Sequence, residues 1–213
     1  MSTILLYIAS SILGVVSFLY IYWKKMRHDY TRDMVFASGF SIILLVLLTT
    51  FISFYIVKYI PVTNIFDSSQ LWFWGAVTGY IIAFSLNIIN SKFKFFESLE
   101  ASSIGLFAWL GFISVASGIA NQDLESLLAS GVVVILFMIY LVLERKYRRF
   151  TWYKSGRVGF AGLTTLGLFF LIRSGISIYG GSMLSLAGRV EIVLSSVLAF
   201  LLFFSVYHLS ERY

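Results

Sequence analysis

The sequence predicts an all-α integral membrane protein of seven helices. Apolar residues make up 59% of the 213-residue chain and charged residues 12%, and the mean hydropathy of +0.90 is far above what a water-facing surface tolerates. The apolar residues gather into seven long runs separated by short polar connections. Each run is apolar on all sides, whereas a barrel strand alternates in segments of roughly ten residues, so the runs read as helices. A hydrocarbon slab about 30 Å thick asks for roughly 20 apolar residues per helical crossing, and a chain of this length holds about seven.

The runs are expected at residues 4–23, 34–57, 71–89, 99–120, 124–143, 158–179 and 190–207. The first has no basic residue ahead of it. A cleavable signal has a cationic start, a shorter core and a small-residue cut site, so this run is expected to remain as a helix. The second run stops ahead of Pro61, the single proline, whose ring ends a helix outside the span. Asn64 and Asp67 to Gln70 then read as a turn and cap. The third contains Gly75 and Gly79 at GxxxG spacing, which lets another helix backbone, or a lipid tail, approach closely. The fourth opens on an acidic stretch with Glu97 and Glu100, and the fifth runs into the basic segment ERKYRRFTWYKSGR. The sixth carries Arg173 and gives way to the glycine-rich stretch from Gly175 to Gly188, which reads as a surface loop or as a loop dipping back into the bilayer. The seventh opens near Glu191. The polar interruptions at 24–33, 61–70 and 144–157 are too short to build a core of their own, so residues 1–213 form one membrane domain.

Short loops rich in Lys and Arg stay cytoplasmic. Alternate connections hold Lys24, Lys25, Arg27 and Arg32, then Lys92 and Lys94, then Arg145, Lys146, Arg148, Arg149, Lys154 and Arg157, and finally Arg212. The other side has Lys58, Arg173 and Arg189 alone of the 16 Lys and Arg. The expected orientation therefore puts the N-terminus outside and the C-terminus in the cytoplasm. Tyr20, Tyr22, Trp23, Trp72, Trp74, Trp152, Tyr153, Tyr207 and Tyr213 fall at run boundaries and read as an interfacial belt. The basic fifth connection is read as a contact for anionic lipid headgroups, worth about 1 kcal/mol per cation, and no nucleic-acid partner is expected.

Several chemistries are excluded. Without Cys there is no disulfide, thiol nucleophile or thiolate metal site. His28 and His208, the two imidazoles, both lie at run boundaries, so no HExxH and no Ser/His/Asp arrangement forms inside the membrane. No metal and no cofactor is expected.

A charge inside a span costs about 2.5 to 3.5 kcal/mol on insertion scales, so such charges come first as candidates. Arg173 lies fifteen residues past Val158, about 22 Å along an ideal helix. Its side chain either snorkels outward, the simpler reading, or grips the phosphate of a lipid, for which a guanidinium fork is suited. Glu97 and Glu100 share a helix face and are expected to pair with Lys92 and Lys94. Glu191 complements the positive end of the last helix, with Arg173 or Arg189 as further partners.

Three stretches together resemble the prolipoprotein diacylglyceryl transferases, especially their divergent members. LWFWGAVTGYIIAFSLNI looks like that family's glycine-rich third segment, and KFKFFESLEASSIGLFAWLGF looks like its short basic loop with an acidic residue opening the next helix. YRRFTWYKSGRVGFAGLTTLGLFFLIR looks like its sixth helix with a far-end arginine. The seven-helix layout with an outside N-terminus matches as well. Carried over, Glu100 takes the place of the helix-opening acid, Gly75 that of a third-helix glycine, and Arg173 that of the arginine implicated in handling phosphatidylglycerol. The departures are plain. Trp74 stands where the family has His, no Arg lies between Lys94 and Arg145 to form the fourth-helix Gly-Arg-x-Gly-Asn signature, and Ser177 stands where a Glu commonly follows the arginine.

The resemblance implies a lipid-handling protein of the plasma membrane, the cell inner membrane in the family's setting, that either transfers or merely binds lipid. Its partners would be an anionic phospholipid like phosphatidylglycerol and a prolipoprotein signal peptide. Arg173, Trp74, Gly75 and Glu100 are the candidate lipid-binding residues, and no general base can be named, since the Trp indole only donates. A small-solute transporter or channel lined by Asn87, Asn90, Thr78, Ser85 and Thr164 is the rival, and a structural subunit the third reading. The sequence leaves the oligomeric state open.

Overall fold

The structure, a computed structural model, describes residues 3–59, 68–122, 124–150, 153, 158–179 and 189–211. Seven α-helices make up nearly all of them: α1 Thr3–Met26, α2 Arg32–Tyr59, α3 Ser68–Ser91, α4 Phe95–Asn121, α5 Leu124–Lys146, α6 Phe160–Tyr179 and α7 Arg189–Glu211. A 3₁₀ turn, Tyr147–Arg149, follows α5. All seven helices are long and apolar enough to cross a membrane, and no strand occurs among the described residues. Pro61, Asn64, Asp67, Trp152, Tyr213 and the glycines from Gly180 to Gly188 lie outside the described residues.

Most helices run past their apolar runs into charged sequence. α1 takes in Lys24 and Lys25, and α5 takes in Arg145 and Lys146. Cations in a last turn complement the negative end of the helix, so these residues extend the helix at no electrostatic cost. α6 departs the other way. It starts after Gly159, whose φ of 114° admits no ordinary side chain. Gly175 lies inside α6, so the glycine-rich break begins later than the sequence suggests.

α1 packs along α4, α2 along α3 and α6 along α7, with α4 also touching α5 and α6. α4 and α6 are the most buried helices, whereas α1 faces outward over most of its length. Small residues set the seams, as expected where packing and not water exclusion joins helices. A Cβ on Gly79 would come within 2.7 Å of the Leu45 carbonyl oxygen, so α3 and α2 touch backbone to backbone there. Large apolar side chains such as Leu44, Phe51, Ile135 and Phe200 stay exposed on the outside of the bundle, the surface that a bilayer would cover.

Two ends result. One gathers Lys24, Lys25, Arg27, Arg32, Lys92, Lys94, Arg145 and Lys146, and is called the charge-rich end; the other holds Arg173 and Glu191.

Candidate functional site

Two buried carboxylates, one near each end, organise the polar interior. At the charge-poor end Arg173 on α6 is 1% exposed and forms an ion pair through its Nε with Glu191 Oε1 on α7, itself 0% exposed. Ser195 Oγ, one turn along α7, donates to the same oxygen at 2.8 Å. Trp74 on α3 donates its Nε1–H to Glu191 Oε2 at 2.7 Å. The guanidinium carbon lies 3.5 Å from the centroid of the Phe73 ring, a cation–π contact that the low dielectric strengthens. Ser177 Oγ donates back to the Arg173 carbonyl oxygen at 2.9 Å, so the residue that replaces the resembled family's Glu does not reach the guanidinium in this bond. The countercharge comes from α7 instead.

Snorkelling is therefore corrected. Arg173 lies six residues before the end of α6 at Tyr179, about 9 Å deep at 1.5 Å per residue, and turns inward to Glu191. A fully buried charge is retained only when it is paired and hydrogen-bonded, and here α7 supplies the carboxylate and α3 the Phe73 ring. Trp74 is half-buried: its indole donates to Glu191 and packs with Phe73 against the α6 core. Tyr22 and Tyr153 are buried, against the expectation of an interfacial belt.

At the charge-rich end Glu100 on α4 is buried, and turns away from Lys92 and Lys94. Its Oε1 accepts from Tyr140 Oη at 3.0 Å and from Lys25 Nζ at 3.3 Å, and its Oε2 accepts from the Gly159 backbone N–H at 2.9 Å. Gly159 immediately precedes α6, so a carboxylate on α4 caps the positive end of α6 from outside that helix. Gly162 makes this approach possible, since a Cβ there would lie 2.8 Å from the Glu100 Cα. Lys25 also pairs with Glu144 and sits 5.1 Å from the Tyr140 ring centroid. Glu97 alone keeps the expected partner: Lys94 Nζ reaches it at 3.2 Å and Asp29 at 3.0 Å. Between Asp29 and Lys94, both outside the spans, the hydrogen bond holds the Asp29 carboxyl below its ordinary range and the Lys94 ammonium above its own.

A hydroxyl seam lies beside this end. Tyr22 Oη meets Ser38 Oγ at 3.0 Å and Ser98 Oγ at 3.2 Å, Tyr80 Oη meets Ser102 Oγ at 2.7 Å, and Asn87 Nδ2 donates to the Ser38 carbonyl oxygen at 3.4 Å. These bonds stitch α1 to α4 together in a setting where an unmade bond is costly.

Of the four residues singled out by sequence, the structure joins two. Arg173 and Trp74 converge on Glu191, whereas Glu100 lies toward the opposite end and Gly75 faces Ser53 and the Thr49 carbonyl oxygen of α2. The polar residues suggested for a solute path are dispersed, with Thr164 half-buried on α6. Thr78, Ser85 and Asn90 are exposed on α3, and Asn87 is buried against α2. Sequence reasoning missed Ser195, Phe73, Lys25 and Tyr140. For Ser195 a signal existed, since it stands four residues after Glu191 and thus on the same helix face.

Among the described residues no group of three or more His, Cys, Asp and Glu could hold a metal. The chain matches no family model, no curated protein and no solved structure.

Proposed function

We propose that the protein handles lipid, and that the α3/α6/α7 junction around Arg173 receives the headgroup of an anionic phospholipid such as phosphatidylglycerol. One observation carries the reading. Three hydrogen-bond donors from three helices, Arg173 Nε, Trp74 Nε1 and Ser195 Oγ, converge on a single buried anion. A lining made of donors around a guanidinium suits any oxyanion, and a phosphodiester presents two such oxygens as a carboxylate does. An ionisable residue held this far inside a span is a functional candidate by default. The charge distribution supports an N-terminus outside and the charge-rich end in the cytoplasm, and the family resemblance supports the plasma membrane as the setting. The resemblance to the diacylglyceryl transferases extends the reading to transfer of diacylglycerol onto a prolipoprotein cysteine. For that step the cluster offers an anion grip, and its one carboxylate, Glu191, is held by Arg173, Trp74 and Ser195.

The test is retention and turnover of lipid. Purified protein is expected to carry phosphatidylglycerol above its share in the membrane, and Arg173→Ala to lose that enrichment about tenfold or more, as removal of one charged partner costing over 1.4 kcal/mol gives. Labelled diacylglycerol and a lipobox peptide distinguish a transferase from a binder. Equal lipid content in wild type and Arg173→Ala would rule out this assignment of the residue.

A further inference from the structure

We propose that Glu191 is an exchangeable occupant of the anion cradle, which a lipid phosphodiester entering between α3 and α7 displaces. The inference rests on the lipid-handling reading and adds how the site is loaded. Glu191 holds both bonds that define the cradle, Arg173 Nε through one oxygen and Trp74 Nε1 through the other, so no second anion can take those donors while it is in place. The two partners differ in where they can go. Arg173 is six residues from the end of α6, but Glu191 is two residues into α7, about 3 Å along the axis, so the carboxylate needs the smaller movement to leave the bundle. Arg173, left behind, needs another anion at once, because a buried unpaired guanidinium costs several kcal/mol.

The geometry also favours this route over others. α7 packs along α6, and its outer face, with Val193, Val197 and Phe200 exposed, has apolar surroundings to move through. Trp74 reaches it from α3 by a hydrogen bond to the departing carboxylate itself. Releasing Glu191 therefore breaks the Trp74 bridge between α3 and α7 and bares the donors in one movement. An internal carboxylate competes at the high effective concentration of a tethered group, so the wild-type protein binds lipid more weakly than its donor set alone would. Exchange of one monoanion for another keeps the Arg173 charge balanced throughout, which a net-neutral headgroup achieves less well.

The experiment compares full-length wild type, Glu191→Gln and the double variant Glu191→Gln/Arg173→Gln. Each is reconstituted into phosphatidylcholine vesicles doped with phosphatidylglycerol, extracted, and assayed for phosphatidylglycerol retained per chain. Gln keeps the shape of Glu191 and removes its charge. Retention is expected to rise by roughly tenfold or more in Glu191→Gln, as relief of over about 1.4 kcal/mol of competition gives, and to return to background in the double variant. Glu191→Asp, which keeps the charge on a shorter arm, reads the same exchange by a smaller rise if the Gln variant does not survive purification. Retention that depends on Arg173 but is unchanged in both Glu191 variants overturns the exchange and leaves the lipid reading standing. Retention independent of Arg173 in every protein overturns both. Inorganic phosphate added without lipid separates the sources: equal occupancy by it would make the ligand a soluble anion and not a lipid.

Discussion

The bundle holds two buried carboxylates in opposite ways, and the contrast separates what is built to stay from what can exchange. Glu100 is fixed by a backbone N–H, a tyrosine hydroxyl and Lys25, and Gly159 and Gly162 shape the space around it. Its cation is 28% exposed and is shared with Glu144, 35% exposed, so water already reaches the pair. Glu191 is sealed, with a cation 1% exposed, and among the described residues its hydrogen-bond partners are the side chains of Arg173, Trp74 and Ser195. A carboxylate that caps a neighbouring helix holds the fold together. One that answers a buried guanidinium leaves a strong anion site behind if it moves.

The largest effect expected from this contrast is on stability. Glu191→Ala leaves Arg173 buried without its carboxylate, and breaking a buried pair from one side costs about 3–5 kcal/mol. The unfolding midpoint in detergent should fall accordingly, and the double replacement Arg173→Met/Glu191→Leu should recover most of the loss, because an apolar pair needs no desolvation. If the double variant were as unstable as the single one, the cluster would matter through packing and not through charge.

How much of this was legible in the sequence follows from range. Seven helices could be read because each span declares itself within about 20 consecutive residues, with no need to know its neighbours. Arg173 stood out for the same reason, as a charge inside an apolar run. Its inward turn did not, because snorkelling and pairing depend on whether Glu191, 18 residues on and across a connection, comes to the right side of α6. Glu191 was recognised only as a helix-end acid with Arg173 among its partners, and Trp74 as a boundary aromatic that the family resemblance alone singled out. Nothing local distinguishes an indole at the bilayer surface from one donating to a carboxylate on a helix 117 residues away. Glu100 misled for a related reason: Lys94 is near in sequence, but Lys25, 75 residues back, lies on the helix that packs along α4.

A smaller effect tests the other side of the contrast. Lys25→Ala removes the cation from Glu100 yet leaves Tyr140 and the Gly159 N–H in place, and the pair it breaks is partly solvated. The loss should stay near 1 kcal/mol or below, as for pairs that water reaches. A midpoint shift as large as that of Glu191→Ala would mean that the charge-rich end is as sealed as the other and that exposure does not separate them.

The smallest effect belongs to Asp29, exposed and bound to Lys94 at 3.0 Å. Its carboxyl is held below the ordinary value of 3.8, so whatever stability it adds is present above that pH and is lost as pH falls through the lowered value. Wild type should therefore unfold marginally above Asp29→Asn at neutral pH, with the gap closing in acid and shrinking in salt, since exposed pairs are screened. The same bond raises the Lys94 ammonium, which keeps its side of the contribution until strongly alkaline pH and leaves the acid limb to the carboxylates beside it. A gap that survived both acid and high salt would show that the Asp29 side chain acts by shaping the turn between α1 and α2, and electrostatics would then explain only the two buried carboxylates.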